Sequence, residues 1–505
     1  MSKKDCLSSN KIVILIFLIM IGVLSSCERL KTGLKIEQSS GNTHPSDKIY
    51  FSLERDGSAM IWVSKIDDLY KGQYSFDELY RHSKQNSIWI LPNEVLAMFL
   101  PSYCKEDNYD ITNKSVSYGI SELLLSPDKK ELAWEDGYSV CVGTGSGSCM
   151  GEIHLKIRNV DKRSEPRVLL SVPSSLDLRL YGYKWSPNGQ QIGYIIGGIW
   201  EGWERVRAVN VLNGVITDYG EGKRFEWSPK GDKIAIVSKT DSSKFPGYRE
   251  DYVRVTALDG TTIVNIKNEW AKINDISWSQ DGTRIAVAAT LLEGDVSYSD
   301  RSIGKGAEIF IANILKDGPI TKVIDNTTIQ TLGISVVRWS ITGKWIAVVS
   351  LDDHGGIGRK SYVIDLENDN ASLIIGGEDV ARGYNNPSWS PKEDILAVST
   401  YDEDTPQSGG IAIFDPADGT IVSTLSAWIK HDNWNVNDIW EWDSTGESLL
   451  VLIGDSKYLC SSEKPQDLGI YHWRENVLDR ISSKIYPTFQ KDFEECNTYL
   501  LDATW

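Results

Sequence analysis

The run Gly143-Thr144-Gly145-Ser146-Gly147-Ser148 has the composition of a loop that wraps a phosphate, because glycines let backbone N–H groups approach an anion closely. It fits neither the Gly-x-Gly-x-x-Gly spacing nor a P-loop with its Lys, so it reads as a flexible hairpin between Cys141 and Cys149. No Gly-x-Ser-x-Gly nucleophile elbow occurs. The His residues at 44, 82, 154, 354, 431 and 472 lack metal-ligand spacing and read as surface or hydrogen-bonded positions. Asp352-Asp353-His354 and Asp402-Glu403-Asp404 have the oxygens for Ca²⁺ but not the Asp-x-Asp-x-Asp-Gly spacing, and read as solvated loops. The sequence therefore implies no metal, no cofactor and no assignable catalytic residue.

Cysteine offers a different chemistry. Residues 1–11 are basic on balance, and Ile12 to Leu24 form an apolar run too short for a membrane span of about 20 residues. The following Leu24-Ser25-Ser26-Cys27 resembles the lipobox of bacterial lipoproteins, which implies a signal peptide over 1–26 and a lipidated Cys27. Residues 27–48 are polar and aperiodic, as expected of a tether. With Cys6 removed and Cys27 lipidated, Cys104, Cys141, Cys149, Cys460 and Cys496 remain, and an exported compartment permits disulfides. Cys141 and Cys149 flank one loop between two neighbouring strands, so a disulfide is expected there; the pairing of the other three stays open.

The elements that must position any site come from one repeated stretch. Phe225-Glu-Trp-Ser-Pro-Lys-Gly-Asp-Lys-Ile-Ala-Ile-Val recurs in variants anchored at Leu125, Trp185, Trp227, Trp278, Trp339, Trp389 and Trp442, in steps of 60, 42, 51, 61, 50 and 53 residues. Pro presets the first turn position and Gly takes positive φ, so each copy is strand, tight turn, strand. The second strand, Ile234-Ala-Ile-Val or Ile285-Ala-Val-Ala, is continuously apolar, as expected where both faces of a sheet are covered. This predicts an all-β chain: one β-propeller over 49–505, of four-stranded antiparallel blades. The repeated Trp packs between blades. Ile49 to Val63 lacks a Trp-Ser-Pro strand of its own, and Tyr499-Leu500-Leu501 is the expected donor that closes the ring. Eight blades are favoured, with seven the alternative if residues 49–118 lie outside the ring. Further strands are expected at 88–91 and 95–100.

The repeat resembles the TolB-type, WD-like propeller repeat, whose pattern is Trp-Ser-Pro-Asp-Gly, a small-residue strand, then Ile-Tyr-Val-Asp. The likeness covers roughly residues 120–480, and 49–64 in part. The resemblance implies work in the cell envelope, where TolB-type proteins bind a peptidoglycan-associated lipoprotein. Prolyl oligopeptidase-like enzymes join a similar propeller to an α/β-hydrolase domain, and no such domain is expected here.

Net charge is −17; residues 1–26 carry Lys3, Lys4 and Lys11 against Asp5, or +2, leaving −19 on the remainder, which argues against nucleic acid as a partner. The expected activity is non-catalytic: a monomeric, lipid-anchored envelope propeller that binds a protein, peptide or glycan. The alternative is a propeller-only enzyme acting on glycans, a lyase or hydrolase with its site in the central channel. Tight turns occupy one end of each blade and long loops the other, so the loop-rich end is the expected binding face. Its candidate residues are Trp200, Trp203, Tyr248, Tyr298, Asp352, Asp353, Tyr384, Tyr401, Asp402, Asp404, Trp434 and Tyr458.

Overall fold

The computed structural model describes residues 48–55, 58–65, 77–82, 114–142, 148–162, 165–175, 178–198, 203–241, 249–291, 308–315, 318–324, 333–351, 360–368, 370–375, 387–401, 409–426, 436–443, 446, 448–453, 467–474, 477–483 and 498–504. Among these residues every regular element is a strand, and neighbouring strands pair antiparallel. The first three strands are β1 (Lys48–Arg55), β2 (Ser58–Lys65) and β3 (Asp77–His82). An eight-stranded sheet follows, from β4 (Lys114–Leu125), β5 (Glu131–Val142), β6 (Ser148–Asn159) and β7 (Arg167–Ser175) through β8 (Leu178–Trp185), β9 (Gln191–Gly198), β10 (Glu204–Asn210) and β11 (Ile216–Glu221). A seven-stranded sheet comprises β12 (Arg224–Trp227), β13 (Lys233–Asp241), β14 (Arg249–Ala257), β15 (Thr262–Trp278), β16 (Arg284–Leu291), β17 (Glu308–Asn313) and β18 (Ile320–Ile324).

Three four-stranded sheets come next. They are β19 (Gly333–Trp339), β20 (Trp345–Leu351), β21 (Lys360–Asp365) and β22 (Asn370–Ile375); β23 (Ser388–Trp389), β24 (Leu396–Tyr401), β25 (Gly409–Asp415) and β26 (Thr420–Ser426); and β27 (Val436–Trp442), β28 (Ser448–Ile453), β29 (Asp467–Arg474) and β30 (Val477–Ser483). The last strand, β31 (Thr498–Thr504), pairs with β1, so the first sheet has the order β3-β2-β1-β31. The expected donation of a C-terminal strand to the N-terminal hairpin is therefore realised, with Leu500 opposite Leu53. The two larger sheets are built of the same four-strand unit. The eight-stranded sheet is joined in its middle only by Ser175 opposite Leu178. In the seven-stranded sheet the long β15 first pairs β14 and then β16, ending one unit and starting the next. The expected strands at 88–91 and 95–100 lie outside the described residues.

The continuous apolar second strands have a direct cause. On β16, Val287 and Ala289 enter the core shared with Val253 and Val255, while Ala286 and Ala288 enter the next core, with Val337 and Ile346. On β13 likewise, Ala235 and Val237 face one core and Ile234 and Ile236 another. A strand covered on both faces cannot alternate apolar with polar residues. The buried Trp residues sit at these junctions as expected, Trp227 and Trp278 both 7% exposed. They also do something the sequence did not foretell. Five of the six anchor indoles donate their N–H to the carbonyl just before the anchor of the preceding copy: Trp185 to Leu124, Trp227 to Lys184, Trp278 to Glu226, Trp389 to Arg338 and Trp442 to Ser388, at 2.9–3.1 Å, whereas Trp339 Nε1 has no hydrogen-bond partner among the described residues.

The turns follow the expected chemistry. Gly189, Gly231, Gly282, Gly343 and Gly446 take φ between 65° and 75°, and of the two copies without Gly the first has Lys129 at φ 58° while the turn at Ser390-Pro391-Lys392 uses no positive φ. The turn Ser of the first six copies is buried: the Ser186, Ser228 and Ser279 hydroxyls accept the N–H five residues on and donate to Asn188, Asp232 and Asp281. Because strands alternate in direction, the first and third turns of a unit share one end. The other end holds the starts of the first strands.

Candidate functional site

The described residues at those strand starts form a cleft of about 320 Å³ lined by Lys223, Arg224, Lys272, Ile273, Asn274 and Ser335. Three successive copies of the repeat contribute to it. Lys223 and Arg224 lead into β12 after Gly222, where a Cβ would lie 2.3 Å from Ile236 Cγ2. Only glycine lets the chain pass so close over β13, and that passage fixes where the two cations emerge. Asn274 and Ser335 each stand four residues before their Trp, and each is the extra residue of a bulge, between Ile273 and Asp275 on β15 and between Ile334 and Val336 on β19. A bulge leaves its extra residue outside the ladder and re-aims it.

Two buried carboxylates hold the cations in place. Asp275, 1% exposed, accepts Arg224 Nη1 at 2.7 Å, Arg338 Nη1 at 2.5 Å and the Val337 N–H at 3.0 Å. It thereby ties together the first strands of three consecutive units. Asp251, 3% exposed, accepts the Ile273 N–H at 2.7 Å and pairs with Lys223. Burial pushes the Lys223 ammonium below its usual range; Asp251 opposes this, while Lys239 and Lys272 push the same way. For Arg338 burial acts to lower the pKa, but Asp275 and Glu226 outweigh it and raise it. Lys272 is exposed, and among the described residues it has no ion-pair or hydrogen-bond partner. The lining is thus rich in donors, and among the described residues it holds no His or carboxylate.

A second polar cluster lies between the first sheet and the next. Tyr80 donates to Asp136 at 2.7 Å, and Lys156 reaches both Asp136 at 2.5 Å and the Tyr80 oxygen at 2.8 Å. Burial, then Asp136, raises the Tyr80 pKa, so the phenol stays protonated and this cluster clasps two sheets. Among the described residues no group of three or more His, Cys, Asp or Glu is arranged to hold a metal ion.

Of the residues expected at the binding face, Trp203 has a described side chain. It packs against Gly198 and joins the core around Leu180 and Ile196, so it pins its own hairpin. Tyr401 ends β24, opposite Gly409. Trp200, Tyr248, Tyr298, Asp352, Asp353, Tyr384, Asp402, Asp404, Trp434, Tyr458 and the expected lipid site Cys27 lie outside the described residues. Cys141 and Cys149 stand directly opposite each other on β5 and β6. The cleft residues escaped the sequence reading, although their fixed offset before the Trp anchors is a signal a search by repeat position would use.

No known family's sequence pattern matches the chain, and no curated relative matches it. Among solved structures it is similar to TolB from Acinetobacter baumannii, with 14% identity and a TM-score of 0.34, covering 76% of this chain and 80% of that one. It is similar to a prolyl endopeptidase at 11% identity and a TM-score of 0.46, covering 77% of this chain and 52% of that one, so it spans about half of that enzyme. The β-propeller domain of the Trilobed protease from Pyrococcus furiosus matches at 14% identity and a TM-score of 0.42, over 72% of this chain and 98% of that domain. These likenesses carry no functional inference, and the architecture rests on the strand order itself.

Proposed function

We propose that the chain is a non-catalytic cell-envelope propeller that binds a protein, peptide or glycan at the end where the first strands start. On this reading it has eight four-stranded blades, closed by β31 on β1, and is exported and anchored by lipid on Cys27 through the Leu24-Ser25-Ser26-Cys27 box. The observation that carries the choice of end is the donor-lined cleft at the strand starts, opposite an end sealed by tight turns. Hydrolysis of a glycan by a pair of carboxyl groups would need two of them in the cleft, and the described lining holds none.

The test is photo-cross-linking in envelope preparations, with the reactive group placed in turn at Asn274 and at Lys230, which is exposed on the tight-turn end. Adducts from position 274 alone are expected, and adducts from position 230 alone would overturn the assignment. In the same preparations Cys27→Ala should move the protein out of the membrane fraction; unchanged fractionation counts against the anchor.

A further inference from the structure

We propose that the cleft of Lys223, Arg224, Lys272, Asn274 and Ser335 is an oxyanion subsite that seats a carboxylate or phosphate group of the ligand. The proposal deepens the binding reading and rests on it for the end of the molecule concerned. Charge is the first ground. Lys184, Lys223, Arg224, Lys272 and Arg338 set five positive charges against the three of Asp251, Asp275 and Glu226, on a chain whose net charge is −17. A network serving only to bind the units together would be expected to neutralise itself, since uncompensated charge at a partly buried site is costly. Two charges are left over, and they face the cleft.

The geometry of the carboxylates is the second ground. Asp251 and Asp275 are buried beneath the cations and anchored by backbone N–H groups of Ile273 and Val337, so they orient the cations without closing the cleft. Arg224 gives Nη1 to Asp275, which leaves further guanidinium N–H donors in one plane for the paired oxygens of an anion. Lys272 adds an ammonium without a partner among the described residues, and the bulge beside it presents the Asn274 amide. Lys223 is already disfavoured as a cation by burial and by its neighbours Lys239 and Lys272. A bound anion would relieve that repulsion. A volume of about 320 Å³ admits a phosphate or a single acidic sugar, near the lower end of the range for ligand sites.

The test is titration calorimetry on the purified protein with inorganic phosphate, glucuronate and, as the uncharged control, glucose. Saturable millimolar binding of phosphate or glucuronate is expected, with none for glucose, and the stronger of the two names the group. Lys272→Ala should weaken it about tenfold, the loss of one charge-assisted hydrogen bond, and Lys272→Glu should abolish it, while Lys230→Ala leaves it unchanged. Lys272 is exposed and its side chain makes no hydrogen bond or ion pair among the described residues, so these variants keep the fold, checked by an unchanged melting temperature. A flat titration, or binding indifferent to Lys272→Glu, overturns the proposal. Cross-links from position 274 alongside a flat titration would sink the oxyanion site while the binding reading stands.

Discussion

In six of the seven anchored copies the side chain on which the repeat turns is a serine with nothing catalytic about it, and in the last it is Asp443. Ser126, Ser228 and Ser279 are at most 4% exposed, and each hydroxyl donates to a turn carboxylate at 2.6–2.7 Å. For Asp128 and Asp281 that hydroxyl is the leading cause of a lowered pKa; for Asp232 the leading cause is Lys233, with Ser228 helping. A carboxyl whose folded pKa lies below its unfolded value contributes stability that is complete above the unfolded pKa, about 4, and is lost as pH falls through the folded value. The melting temperature should therefore hold from neutral pH to about 4.5 and fall below that. Asp281→Asn, which removes one titrating group, should lower the neutral-pH value and make the acid fall shallower. An equally steep fall in the variant would show that this turn does not contribute.

At the scale of the strand, register decides which residues meet. Along the pair of β5 and β6 every residue from Glu131 to Val142 has a partner without a bulge, and Cys141 falls opposite Cys149. Residues directly opposite in an antiparallel pair have Cα atoms about 4.5–5.5 Å apart, inside the range a disulfide spans. A non-reducing peptide map of the protein purified without reductant should recover these two cysteines in one linked fragment. Recovery of both as free thiols would count against the pairing. The first strands behave differently, because bulges at Asn274 and Ser335 interrupt the ladder near the end where the cleft opens. Regular pairing thus builds the scaffold, and its local failure builds the site.

For the molecule as a whole, stability depends on neighbours, since each described core cluster is shared by successive units. The first sheet adds a dependence on the far end of the chain, because β31 is its edge strand beside β1. Deleting residues 498–505 should expose the unpaired edge of β1 and lower the melting temperature of the entire protein, since units that share cores lean on one another. An unchanged melting temperature would mean that β31 is dispensable. By itself the sequence determined the strands, the tight turns and the burial of the repeated Trp, because turn residues and continuous apolar runs are local signals read within one copy. It pointed as well to Tyr499-Leu500-Leu501 as the partner of the first hairpin, from the missing strand alone. The tertiary structure decided the cleft. Lys223, Asp251, Lys272 and Ser335 are ordinary residues in their own copies, and only the packing of three units brings their charges together. Electrostatics between copies depends on distance in space, and a repeat read one copy at a time carries no record of it.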